Sequence, residues 1–157
     1  MEFKLAKKCD AEKVYALVQE TIKVVYPKYY LKEIVDMFCE FHSRENIIKD
    51  IEAGNTYILM ENEEIIGTGT KNGNHITRVY VLPEYQKKGY GKILLDYALD
   101  KATEMGFGAV FIEGNINFYR HCGLTYAREY GISYHGLPDG ADQAADYKRT
   151  HTVLPHG

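Results

Sequence analysis

Apolar residues recur at helical spacing through the first third of the chain and at strand spacing after it. Phe3 and Leu5 alternate with charged residues, the pattern of a short edge strand. Val14, Leu17, Val18, Thr21, Ile22 and Val25 then fall on one face of a helix that Asp10 is placed to cap and Pro27 to end. A second helix is predicted over 31–41, carrying Ile34, Val35, Phe38 and Phe41. A third is predicted over 44–53, with Ser43 as its N-cap and Gly54 as its stop. From Thr56 the period falls to two. Thr56–Glu61, Ile65–Lys71 and His75–Leu82 read as strands joined by turns at Asn62-Glu63-Glu64 and Asn72-Gly73, which makes an antiparallel meander. Leu94, Leu95, Ala98, Ala102 and Met105 restore the helical period until Gly106. The strand predicted next, Phe107–Glu113, follows a helix and is expected to lie parallel to the strand before that helix. One or two helical turns over 117–122, a strand over 124–130, a loop over 131–145 and a weak last strand over 147–154 complete the reading.

The junction between the third strand of the meander and the long helix holds the candidate chemistry. Pro83 stops the strand, and Gln86-Lys87-Lys88-Gly89-Tyr90-Gly91-Lys92 leads straight into the helix. Amides at a helix N-terminus have no intrahelical partner, and the helix dipole favours negative charge there. Gly89 and Gly91 let the backbone approach a bulky phosphate, and Lys87 and Lys88 add charge beside it. This is not a Walker loop, because Ile93 stands where that loop needs Ser or Thr. Gly67 and Gly69 begin like a dinucleotide fingerprint, but Asn72 stands in place of its third glycine and no helix follows.

Composition narrows the class. A chain of 157 residues with 45% hydrophobic and 26% charged residues is expected to be one α/β domain spanning 1–157. The net charge of −3 argues against a basic-patch nucleic-acid binder. Cys9, Cys39 and Cys122 are odd in number, with no CxxC, and read as reduced thiols of a cytoplasmic protein. The histidines show no metal-ligand spacing, so no metal is expected. No signal peptide and no apolar run of membrane length is present in the sequence, so no membrane partner is expected.

Two stretches resemble the GNAT superfamily of acyl-CoA N-acyltransferases. Val79-Tyr80-Val81-Leu82-Pro83 followed by Gln86–Gly91 is similar to that family's Q/R-x-x-G-x-G/A motif after a strand. Phe118-Tyr119-Arg120-His121-Cys122-Gly123-Leu124 resembles its FYxxxGF, with leucine as the last residue. The resemblance covers about 56–126. It implies a mixed sheet, largely antiparallel at its N-terminal side, with a central parallel pair splayed to admit acetyl-CoA and helices on both faces. It places the pantetheine arm along the main chain of Val79, Tyr80 and Val81, the pyrophosphate on the amides from Lys87 to Lys92, and a further cofactor contact at Asn115.

Acyl transfer from a thioester to an amine needs a proton for the departing thiolate, a donor for the oxyanion and a neutral amine. The resemblance makes Tyr119 the general acid. A tyrosine near pKa 10 holds its proton at neutral pH, whereas a thiol titrates near about 8.5. The oxyanion donor is expected to be an N–H near Val81. Presenting a neutral lysine amine at pH 7 costs about 4.6 kcal/mol, and an α-amino group about 1.1. His75 is the leading candidate base, on a face shared with Thr77, Val79 and Val81 if the strand is regular. His42 ranks second. Tyr26, Tyr29, Tyr30, Phe38, Phe41 and His42 are candidates for the wall of the acceptor pocket. The acceptor expected is a small-molecule or peptide amine. The alternative is a sensor that binds acyl-CoA without turnover. The sequence leaves open a homodimer formed through the late loop or an exposed edge strand.

Overall fold

The computed structural model describes residues 1–107, 109–114, 125–126 and 150–155. In chain order the described elements are β1 (Glu2–Leu5), α1 (Ala11–Val25), α2 (Lys32–Phe41), α3 (Arg44–Glu52), β2 (Thr56–Glu61), β3 (Glu64–Asn72), β4 (His75–Val81), α4 (Tyr90–Glu104), β5 (Ala109–Gly114), β6 (Thr125–Tyr126) and β7 (Thr150–Pro155). The strands form one mixed sheet in the order β1-β2-β3-β4-β5-β7-β6. β1 to β4 pair antiparallel, and β4 pairs with β5 in parallel at His75↔Phe111 and Ile76↔Ile112. The predicted strand over 124–130 is described only at β6, and the predicted helical turns over 117–122 and the loop over 131–145 lie outside the described residues.

Local chemistry explains most of the boundaries. Ser43 accepts a hydrogen bond from the Asn46 amide at 3.2 Å and starts α3 as an N-cap should. Gly54 ends α3 with a φ of +75°, and Gly106 ends α4 with a φ of +86°. At Gly54 the Gly54 and Asn55 amides bond back to the carbonyls of Ile51 and Asp50. At Gly106 the Gly106 and Phe107 amides bond back to those of Thr103 and Ala102, so both are Schellman closures. Asp10 does not cap α1: its carboxylate accepts instead from the Lys7 amide at 2.8 Å, closing the short turn ahead of the helix. In the β3–β4 hairpin Asn72 faces His75, so the central pair is Gly73-Asn74 rather than Asn72-Gly73. Only Gly73 there has positive φ, at +61°, the pattern of a type II′ turn.

Strand alternation divides the apolar side chains into two cores. Tyr57, Leu59, Ile66, Ile76 and Val81 pack against Leu94, Leu95, Ala98, Leu99 and Ala102 of α4. Ile58 and Tyr80 face the other way, against Val14, Leu17, Val18 and Ile22 of α1 and Ile47 and Ile51 of α3. The helices therefore lie on both faces of the sheet. Met105, read as part of the apolar stripe of α4, is instead 62% exposed, and its sulfur accepts from Lys71 Nζ at 3.0 Å. Among the described residues no helix is long and apolar enough to cross a membrane.

Gly69 shows what the close packing demands. A Cβ there would stand 2.4 Å from the Tyr57 ring, which lies over β3 and donates its hydroxyl to the Leu94 carbonyl. Gly69→Ala is expected to lower stability by about 1–3 kcal/mol, read as a shift in the urea unfolding midpoint. A second change, Tyr57→Leu in the same chain, should recover part of the loss. An unchanged midpoint for Gly69→Ala would mean that the ring is not held against β3.

Candidate active site

β4 carries the chain from the hairpin at His75 to the glycine loop beyond Val81. A single 3-10 turn, Pro83–Tyr85, redirects it, and the Gln86 side chain donates to the Val81 carbonyl at 2.9 Å. Gln86 thus ties the loop to the end of the strand. Lys87 and Gly89 then take left-handed conformations, with φ of +61° and +88°. A left-handed residue followed by a right-handed one, as Gly89 is by Tyr90 at the start of α4, curls successive amides toward one side, the geometry of an anion nest. The first α4 amide bonded to the turn behind it is that of Ile93, to the Gly89 carbonyl at 3.2 Å. Gln86 and Lys87 form a type II turn that the Lys88 amide closes, and the amides of Lys87, Gly89, Tyr90 and Gly91 have no partner among the described residues. A Cβ at Gly89 would meet nothing within 4 Å, so the space beside the nest is open.

The two residues flanking Gly89 are held outward. Lys88 Nζ lies 5.3 Å above the Tyr85 ring. The Tyr90 hydroxyl donates to both oxygens of Glu61, at 2.9 and 2.8 Å, and this hydrogen bond, with partial desolvation, raises its pKa. Lys92 pairs with Asp96 at 2.7 Å, one turn along the helix.

Along β4 the structure departs from the regular strand that sequence spacing suggests. Thr70 pairs with Arg78 while Lys71 pairs with Ile76, so Thr77 is the extra residue of a bulge. Ile76 consequently joins Val79 and Val81 on the α4 side. His75, next to Ile76, alternates to the side of α1 and α3 and does not share the face of Val79 and Val81. The Val81 carbonyl is already engaged by Gln86 and, at 3.4 Å, by the Thr21 hydroxyl.

His42 is 2% exposed, and its Nδ1 accepts from Arg78 Nε at 2.9 Å. Burial, with the Arg78 charge adding to it, pushes its pKa down to about 3, so the ring is neutral with its proton on Nε2. Arg78 Nη1 also pairs with Asp50 at 2.6 Å and donates to the Thr70 hydroxyl at 3.0 Å. Gln19 Nε2 donates to the carbonyls of Cys39 and His42, both at 3.0 Å. These contacts fix α1, α2 and α3 to β4. The acceptor-wall candidates divide. Tyr26 packs with Tyr30, Phe38 and Tyr80 and shares a hydroxyl contact with Tyr80 at 3.2 Å, its pKa raised to about 12 by burial. Tyr29 is 51% exposed. A shallow cavity of about 560 Å³, lined by Tyr15, Cys39, Glu40 and Arg44 among others, opens on the outer side of these helices and shares no residue with the glycine loop. Asn115 and Tyr119 lie outside the described residues. Sequence reasoning missed Arg78, Asp50 and Glu61. The one available signal was an arginine set among the apolar residues of a central strand.

A mixed sheet with a glycine nest between a central strand and a helix defines an α/β architecture with an anion site at the helix N-terminus. The sequence profile of the acetyltransferase (GNAT) family matches residues 6–124. The chain is similar to the glucosamine 6-phosphate N-acetyltransferase of Schizosaccharomyces pombe, 30% identical over an alignment of 97 positions that covers 56% of this chain and 86% of that one. Its fold is similar to that of the PaiA N-acetyltransferase of Thermoplasma acidophilum, solved with coenzyme A (TM-score 0.76, 18% identity, covering 99% and 98% of the two chains). It is also similar to that of a GCN5-related N-acetyltransferase from Rhodopseudomonas palustris (TM-score 0.80, 15% identity, covering 98% and 94%). The chain belongs to the GNAT family of acetyltransferases.

The buried neutral His42 gives a pH dependence with a definite sign. The unfolded chain binds that proton near the ordinary histidine value, about 6.5, and the folded chain only near about 3. The stabilising contribution is therefore complete above pH 6.5 and is lost as pH falls toward 3. Between pH 7 and pH 5 the His42 contribution should fall by about 2 kcal/mol. Urea titrations at the two pH values should show it as a steeper decline for the natural chain than for His42→Gln. Equal slopes would mean that His42 takes up its proton as readily in the folded chain as in the unfolded one.

Proposed function

We propose that this acetyltransferase moves the acetyl group of acetyl-CoA to a primary amine by direct attack, with no acyl-enzyme intermediate. The observation that carries the reading is the set of amides of Lys87, Gly89, Tyr90 and Gly91 with no partner among the described residues, opening on free space at Gly89. A diphosphate needs such a set of donors. The pantetheine arm then runs toward the hairpin end of β4 beside Val79, Tyr80 and Val81. In support of a splay there, among the described residues the β4–β5 pairs stop at Ile76↔Ile112 although β5 runs on to Gly114. With the Val81 carbonyl engaged, the groups left to the arm and to the oxyanion are the Val81 amide and the main chain of Val79.

Tyr119 is assigned the role of general acid toward the thiolate, and Asn115 a contact to the cofactor. His75 is assigned the role of base. The bulge at Thr77 supports this, because it turns His75 toward the side of α1 and α3, from which an acceptor bound by the helical region would arrive. His42 is better suited to holding Arg78 than to taking a proton, since its Nδ1 is occupied. The amine class favoured is a small molecule, as the name of the S. pombe relative, a glucosamine 6-phosphate N-acetyltransferase, suggests. Tyr29, on the connector between α1 and α2, and Phe41, at the end of α2, are the exposed members of the proposed acceptor wall. A cytoplasmic setting fits the free thiols of Cys9 and Cys39.

The test is release of free thiol from acetyl-CoA across a panel of amines. Tyr119→Phe should lower turnover by about 10²-fold or more, with the affinity for coenzyme A nearly unchanged. Undiminished turnover would remove Tyr119 as the acid. Gly89→Glu should abolish coenzyme A binding, because it fills the open space with a like charge, and calorimetry would detect retained affinity. Tight coenzyme A binding with no thiol released for any amine would favour the sensor.

A further inference from the structure

Tyr85 precedes the glycine loop, Tyr90 sits between its two glycines, and a carboxylate, Glu61, meets this aromatic pair. Glu61, Glu64 and Glu84 all act on the Tyr85 hydroxyl, and burial and these charges together raise its pKa. Negative charge is the wrong sign beside a diphosphate site, so a carboxylate retained there calls for a separate physical reason. For Glu61 the structure supplies one. It is the last residue of β2 and, by alternation with Tyr57 and Leu59, lies on the α4 side of the sheet. Both of its oxygens accept from the hydroxyl of Tyr90, the first residue of α4, which sits between the two glycines of the loop. Tyr85 packs edge-on against the Tyr90 ring, with centroids 6.2 Å apart. The β2–β3 turn beyond Glu61 is tight, with Asn62 and Glu63 at φ of +51° and +67°, as in a two-residue type I′ hairpin.

We infer that Glu61 is a positioning residue for the glycine loop. It grips the Tyr90 side chain from the tip of the β2–β3 hairpin, keeps that ring out of the phosphate space, and so fixes the direction of the amides on either side of Gly89. Glycines give the loop conformational freedom that would otherwise be spent on binding. A charge-assisted hydrogen bond to the residue between them removes part of that freedom in advance. The inference rests on the proposed diphosphate site for its meaning, but the brace itself can be tested without any ligand.

Two measurements separate the questions. In the ligand-free protein, backbone ¹⁵N relaxation at Gly89, Tyr90 and Gly91 should show greater mobility in Glu61→Ala and in Tyr90→Phe than in the natural chain. Mobility unchanged in both would overturn the brace, whatever the protein binds. In calorimetry with coenzyme A, each of these variants should weaken binding about three- to tenfold, and the double variant should bind no worse than the weaker single one. Glu61→Gln keeps an acceptor and removes the charge, and should bind within about twofold of the natural chain. The loss should appear in KM for acetyl-CoA rather than in kcat. Glu61→Ala binding as tightly as the natural chain, or tighter, would overturn the inference and leave repulsion as the main effect of the carboxylate. If the natural chain itself does not bind coenzyme A, the proposed function falls, while the relaxation data still decide the brace.

Discussion

A backbone N–H without an acceptor costs free energy unless water or a ligand meets it. The loop from Lys87 to Gly91 gathers four amides that have no acceptor among the described residues, and the rest of the architecture holds them there. Their direction is fixed from below by the packing of Leu94, Leu95 and Ala98 on the sheet, with Gly67 leaving room for the Leu94 side chain. From one side the Gln86 side chain ties the loop to the end of β4, and from the other Glu61 holds Tyr90. Left-handed backbone at Lys87, a residue with a Cβ, is tolerated because these ties over-determine the turn.

The second constraint is a buried guanidinium. Arg78 lies in β4 with its side chain 2% exposed, and a charge so placed is tolerable only with partners. Asp50 comes from α3, His42 from the end of α2, and Thr70 from β3. The helical third of the chain is thereby located against the same strand that is proposed to meet the cofactor. The bulge at Thr77 adjoins Arg78 and divides the two faces of β4. Beyond it Val79 and Val81 serve the α4 core, while His75 turns toward the helices. One strand thus addresses the proposed cofactor at its far end and the proposed acceptor side at its near end.

What the sequence made legible was local in origin. Ser43, Gly54 and Gly106 act within a few residues of themselves, and each stands where its chemistry placed it. Strand β2 and the change of period at Thr56 were readable because alternation repeats along one segment. What escaped depended on which partner a group takes when several compete, near or far in the chain. Asp10 looked like a cap because nothing nearby showed that Lys7 would take its carboxylate. The bulge in β4 is a mismatch between two strands, so no property of one strand reveals it. His42 could be named a candidate base from its type alone, and only the Arg78 contact shows that its nitrogen is engaged. Glu61 lay 29 residues from Tyr90 and carried no motif.

The central claim is that the amides opening α4 are the diphosphate site of this acetyltransferase. Its most direct test is a ¹H–¹⁵N NMR titration of the protein with coenzyme A, with 3′,5′-adenosine diphosphate and dephosphorylated pantetheine as partial ligands. On adding coenzyme A the largest amide shifts should fall on Lys87 to Gly91, and pantetheine alone should leave those signals in place while moving Val79 and Val81. Saturating coenzyme A that moves other amides and leaves residues 87–91 where they were would contradict the claim.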